Sequence, residues 1–113
     1  MNLPKEASEK INELQMLEQT LQSYLAQKQN INLELNEVLN ALNELNNYQG
    51  IVYKSISGIL LETKKEDITK ELEEKKKILE LRISSIEKQE KSFEERADLL
   101  KKEIDKILSS KKK

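Results

Sequence analysis

The sequence predicts a mainly α-helical chain: an antiparallel two-helix coiled coil with a β-hairpin at its bend. Three observations predict it. Apolar residues recur with strict three-four spacing in two long stretches. A short run rich in β-branched and aromatic residues, IVYKSISGILLETK at 51–64, separates them. The balance of 36% hydrophobic and 36% charged residues suits a narrow helical seam better than a thick globular core.

The first helix is expected over about residues 4–47. Pro4 suits a first helical turn. From Leu14 the seam runs Leu14, Leu17, Leu21, Tyr24, Lys28, Ile31, Leu35, Val38, Leu42 and Leu45, with Lys28 its one polar member. The helix fades near Asn46–Asn47, ahead of Gly50.

The hairpin is expected over about 51–64. Ser57-Gly58 is a turn signal between two runs that favour strand. A two-residue turn there puts Val52, Ile56, Ile59 and Leu61 on one face with Lys54 and Thr63. The other face shows Ile51, Tyr53 and Leu60. Both faces are partly apolar, and both edges of a lone hairpin are unpaired. The two helices cannot cover all of this, so Ile51, Val52, Tyr53, Ile56, Ile59, Leu60 and Leu61 are candidate oligomerisation residues. The competing reading folds the hairpin back on its own helices.

The second helix is expected over about 66–109, followed by a basic tail at 110–113. Thr63 with Glu66, or Asp67 alone, can cap its start. One seam series is Leu72, Leu79, Ile86, Phe93, Leu100 and Ile107; the other is Lys76, Ile83, Glu90, Ala97 and Ile104. Each helix spans about 60–70 Å at ~1.5 Å per residue, and neither buries its stripe alone. Their charges fit an antiparallel pairing: residues 1–48 carry 3 basic and 7 acidic side chains, residues 67–113 carry 14 and 12. A register in which partner numbers add to about 114 sets Leu42 against Leu72, Leu35 against Leu79, Leu21 against Phe93 and Leu14 against Leu100. Lys28 and Glu90 then fall about one turn apart. Either both reach out to water, or they pair and help fix the register.

Toward the free ends the seam decays. Ala7 and Lys10 occupy seam positions, and Lys10 would face Ile104. Ile104, Ile107 and Leu108 then lack good partners, and Ile11, Met16 and Leu99 lie off the seam nearby. These six are candidate contact residues, since exposed apolar side chains, an adaptable Met included, suit loose contact with varied chains. The plainer reading is a frayed end with scattered surface residues. Leu33 and Leu81 are two further apolar residues on the outer side, at matching height, without an assigned role.

Composition excludes several classes. The chain has no Cys and no His, so disulfides, thiolate chemistry, the common zinc sites and a His general base are not expected. No enzyme, metal or cofactor is expected: the carboxylates sit on exposed helix faces without a pocket to shift them. A net charge of −1 and alternating signs along the second helix argue against nucleic acid. No run approaches a membrane span, and MNLPKEASEK lacks the apolar stretch of a signal peptide. A cytoplasmic location is therefore expected.

In order along nearly the whole chain, a helix, then VYKSISGILLETKKEDITKELEEK, then a helix containing LELRISSIEKQEKSFEER resembles the β-class prefoldin subunits of archaeal type. A single hairpin, rather than two, marks the β class. The resemblance implies a hexamer of two α-class and four β-class subunits. In that family the hairpins form a central β-barrel between subunits, from which the coiled coils hang. It further implies an ATP-independent chaperone that captures unfolded or nascent polypeptides with its coiled-coil tips and delivers them to a group II chaperonin, which makes Ile11, Met16, Leu99, Ile104, Ile107 and Leu108 the candidate client-binding residues. A structural coiled-coil tether or adaptor, oligomerised through its hairpin, is the alternative; a simple spacer would need neither the strands nor apolar ends.

Overall fold

The computed structural model describes residues 4–110. Its elements are α1 (Lys5–Asn47), β1 (Val52–Ile56), β2 (Ile59–Thr63) and α2 (Lys65–Ser110). The expected basic tail Lys111–Lys113 lies outside the described residues. The chain divides into two compact units. One combines the residues up to Lys28 with those from Ser85 onward; the other is Gln29–Ser84.

α1 begins where Pro4 has no N–H to lose: its carbonyl accepts the Ser8 N–H at 3.0 Å, closing the first turn. At the far end the Tyr48 N–H tightens onto the Leu45 carbonyl at 3.2 Å, and Asn47 Nδ2 donates to the Asn43 carbonyl at 3.3 Å. α2 starts differently from the expected cap. Thr63 is the last residue of β2, paired with Val52. The Lys64 carbonyl instead accepts the N–H groups of Asp67 and Ile68, both at 3.1 Å. Glu66 and Asp67 stand in the first turn, where the helix dipole favours negative charge.

In the first unit the helices run antiparallel, as the order of their ion pairs requires: Lys10 with Glu103, Glu13 with Arg96, Lys28 with Glu90. Ala7, Ile86, Ala97, Leu100 and Ile104 are its buried residues, with Leu100 at 0% exposure. In the second unit the same antiparallel sense follows from Glu34 with Lys75 and from Lys65 Nζ donating to the Tyr48 carbonyl. Ile31, Val38 and Leu79 form its buried core. Every seam residue from Leu14 to Leu45 and from Leu72 to Ile107 is buried or half-buried. At roughly 1.5–3 kcal/mol for each fully buried aliphatic side chain, this stripe is what holds the helices together.

Phe93 stacks on Tyr24, ring centroids 5.7 Å apart and 13° from parallel; Tyr24 lies one turn along α1 from Leu21, the residue that the expected register sets opposite Phe93. Two flat rings gain contact and an offset π arrangement that a branched aliphatic does not offer. Of the two readings for the seam charges, pairing is the one found: Lys28 Nζ lies 2.6 Å from Glu90 Oε1.

Candidate functional site

The hairpin is a two-stranded antiparallel sheet, Val52 opposite Thr63 and Ile56 opposite Ile59. Its turn is the two residues Ser57 and Gly58, with φ of 49° and 81°. Two consecutive positive φ values are those of a type I′ turn, whose twist matches that of the strands. Glycine adopts such a φ without strain; serine does so at some cost. The register puts Val52, Lys54, Ile56, Ile59, Leu61 and Thr63 on one face, as the sequence indicated, and Tyr53, Ser55, Leu60 and Glu62 on the other.

Lys54 bonds Glu71 of α2 from the first face. Val52, Lys54 and Thr63 are partly covered near the strand bases. Around them the apolar side chains stand in solvent: Ile51, Tyr53, Ile56, Ile59, Leu60 and Leu61 are 46–69% exposed. Six large apolar side chains on two faces of one hairpin form a surface that its own unit leaves uncovered. A groove of about 830 Å³ opens beside it, lined among others by Leu45, Tyr48, Ile51, Tyr53, Ile68 and Leu72. Gly50 lets the Tyr48 ring lie close there; a Cβ at that position would come within 2.4 Å of the phenol oxygen. The sequence pattern did not indicate this groove, because it depends on the angle between strand and helix rather than on periodicity.

The six candidate client-binding residues fall in the first unit and divide. Met16 is 69% exposed and Leu99 47%. Ile11, Ile107 and Leu108 are half-buried. Ile104 is a correction: it is buried, at 7% exposure, and offers no free surface. The expectation was that Lys10 would leave it without a partner. Instead the Lys10 ammonium swings to Glu103 at 2.6 Å, and Ala7 and Leu100 stay fully buried in the same seam. That hydrogen bond raises the Lys10 pKa above the usual lysine value and lowers that of Glu103 below the usual carboxylate value. Arg96 adds a fork onto both carboxylate oxygens of Glu13, at 3.0 and 3.2 Å from one guanidinium nitrogen. Opposite charges at the seam's flanks were the sequence signal for these ties. In the seam, the hydrogen bond to Glu90 raises the Lys28 pKa.

Among the described residues no grouping of Asp and Glu could hold a metal ion, and no helix is long and apolar enough to cross a membrane. The uncovered features among the described residues are contact surfaces, the two hairpin faces above all.

Comparison with known proteins gives a consistent result. The family model "Prefoldin subunit" matches residues 8–111. The chain is 35% identical to the prefoldin subunit beta of Archaeoglobus fulgidus, covering 95% of this chain and 94% of that one. It is 33% identical to the prefoldin subunit beta of Thermococcus kodakarensis, over 95% and 93%. Among solved structures, the crystal structure of the prefoldin beta subunit from Thermococcus strain KS-1 matches with a TM-score of 0.86 at 33% identity, covering 91% of this chain and 92% of that one.

Proposed function

The chain belongs to the prefoldin family, and on that premise we propose that it is a β-class subunit of an ATP-independent chaperone. It captures unfolded or nascent polypeptides and delivers them to a group II chaperonin. The observation that carries the reading is the hairpin: six exposed large apolar residues on two faces, next to a seam that is already closed. A tether needs no such surface. The hairpins of several subunits join into a barrel, which pairs their free edges and covers both faces at once. In this reading the partner is an α-class subunit, in a hexamer of two α and four β, working in the cytoplasm.

Clients are held at the free arm ends. The residues available there are Ile11, Met16, Leu99, Ile107 and Leu108, with Ile104 withdrawn into the seam. Each contact is weak, and several arms acting on one flexible chain supply avidity.

The test mixes the full-length chain with an α-class subunit, measures the mass of the assembly, and follows aggregation of an unfolded protein without ATP. A hexamer mass with suppressed aggregation supports the reading. An assembly that forms but leaves aggregation unchanged favours a structural role.

A further inference from the structure

One exposed strip in the first unit combines a flat cation with apolar neighbours. Arg96 reaches across from α2 to Glu13 of α1. Its Nε donates to Oε1 of Glu13 at 3.1 Å, and its Nη2 donates to Oε1 and Oε2 at 3.0 and 3.2 Å. Bonds of this kind fix the plane of the guanidinium. They engage its edge, whereas stacking uses its faces. The pair is open to water: the Arg96 side chain is 43% exposed and that of Glu13 45%. Met16 and Leu99 stand three residues beyond Glu13 and Arg96 on their helices, and residues three apart share a helix face. A helical side chain leans toward the N-terminus and covers the turn before its own. Met16 therefore leans toward Glu13, and Leu99 toward Arg96. Because the two helices of this unit run antiparallel, they lean in from opposite ends of the ion pair. Both are exposed, Met16 at 69% and Leu99 at 47%.

Charge does not select what binds here. Arg96 is matched by Glu13, and the neighbouring Lys10 by Glu103 at 2.6 Å. An incoming carboxylate would meet Glu13 beside Arg96, and an incoming ammonium would meet Arg96 beside Glu13. An aliphatic side chain laid over the pair would strip water from both charges and offer nothing in its place. An aromatic ring differs. Its face is attracted to a guanidinium, and its π system makes favourable contact with a thioether such as that of Met16. Its broad apolar body also covers Leu99.

We propose that Met16, Leu99 and the Glu13–Arg96 pair form a binding site for the aromatic side chains of unfolded polypeptides, with the Arg96 guanidinium as its stacking surface. The proposal rests on the reading of the arm ends as the surface that holds clients, and it names the class of side chain that this surface selects. Glu13 is a positioning residue in this site: it holds the guanidinium plane while Arg96, Met16 and Leu99 touch the ring.

Two short unstructured peptides, identical except for one phenylalanine or one cyclohexylalanine, separate the aromatic face from apolar bulk. The full-length chain, carrying carbon-13 methyl groups on its methionines, is assembled with an unlabelled α-class subunit. The chain has two methionines, Met1 and Met16, so Met16→Leu assigns the Met16 signal. The phenylalanine peptide should bind about threefold tighter or more, and its ring current should shift the Met16 methyl resonance, which the cyclohexylalanine peptide should not do. Arg96→Lys keeps the charge but lacks the flat face, and lysine is nearly as good a helix former. Circular dichroism should therefore hold while the preference for phenylalanine disappears. Equal affinities for the two peptides, a preference that survives Arg96→Lys, or a Met16 signal unmoved by the bound phenylalanine peptide each overturn the proposal. If unfolded protein is still held in any of these cases, the reading of the arm ends stands and this inference alone falls. If neither peptide nor an unfolded protein is held, that reading fails and takes the inference with it.

Discussion

Removing the ring of Phe93 should weaken the arm by an amount that depends on Tyr24. A fully buried aromatic replaced by alanine costs about 3–5 kcal/mol. Phe93 and Tyr24 are both half-buried, so Phe93→Ala should cost about 2 kcal/mol. Tyr24→Ala should cost a similar or smaller amount. With ring centroids 5.7 Å apart and planes 13° from parallel, the stack itself should contribute about 0.5–1.5 kcal/mol beyond the area buried. The double variant should therefore lose less than the two single losses combined, by that amount. Urea unfolding followed by circular dichroism measures it, at one fixed subunit concentration because assembly stabilises the folded arm by mass action. Losses that add to within about 0.3 kcal/mol would mean the rings do not meet. The same cycle run on Phe93 with Leu21 measures the contact that the heptad count sets opposite Phe93.

Other expectations are as concrete. Ile56→Asp with Leu61→Asp should leave helical circular dichroism nearly intact while light scattering shows the oligomer dispersed, since both residues are exposed hairpin side chains outside the helical seam. Lys28→Ala should lower the melting temperature by stranding Glu90 in the seam, and Lys28→Leu with Glu90→Leu should restore or exceed it while loosening register, seen as broadened amide spectra. The arm should also respond to pH at both extremes. Bonding to Glu90 raises Lys28, so that contribution is complete below about 10.5 and is lost as pH climbs through the higher folded value. Bonding to Lys10 lowers Glu103, so its contribution is complete above about 4.5 and is lost as pH falls through the lower folded value. A melting temperature that stays flat beyond both limits would deny these ties a role in stability. Met16→Ser with Leu99→Ser should weaken capture of unfolded protein strongly and stability little, because both side chains are already in water.

Much of this architecture is written in periodicity. The three-four spacing of Leu14 through Leu45 marks the residues that become covered, and Ser57-Gly58 sets a strand register that alternation alone then completes. What periodicity leaves open is which rung meets which. Shifting one helix by about one turn still sets apolar against apolar at nearly every level, so Phe93 suits Leu21 or Tyr24 by pattern. Chemical likeness adds contacts between neighbouring rungs that periodicity does not mark: ring on ring, and Lys28 with Glu90. Ile104 was misjudged for a related reason. Seam position was weighed by the type of residue opposite, and a lysine there reads as a gap. Its long stem, however, can carry the ammonium sideways to Glu103 and leave the seam closed. The groove beside Tyr48 belongs to a third kind, fixed by the angle between elements and by a missing Cβ at Gly50.

The two joints of the hairpin are unequal. Four residues, Tyr48–Ile51, connect α1 to β1, while Lys64 alone connects β2 to α2. The single-residue joint is further locked, since the Lys64 carbonyl is shared by two N–H groups of the first turn of α2. Lys65 and Lys54 brace it from either side, onto the Tyr48 carbonyl and Glu71. One joint therefore behaves as a weld and the other as a short cord. Torque applied to the sheet passes into α2 directly, and α1 follows through the contacts it makes with α2. Lengthening the Tyr48–Ile51 cord would therefore change the setting of the sheet on the first turns of α2 little, whereas one residue inserted beside Lys64 would part β2 from the locked first turn and turn the weld into a second cord.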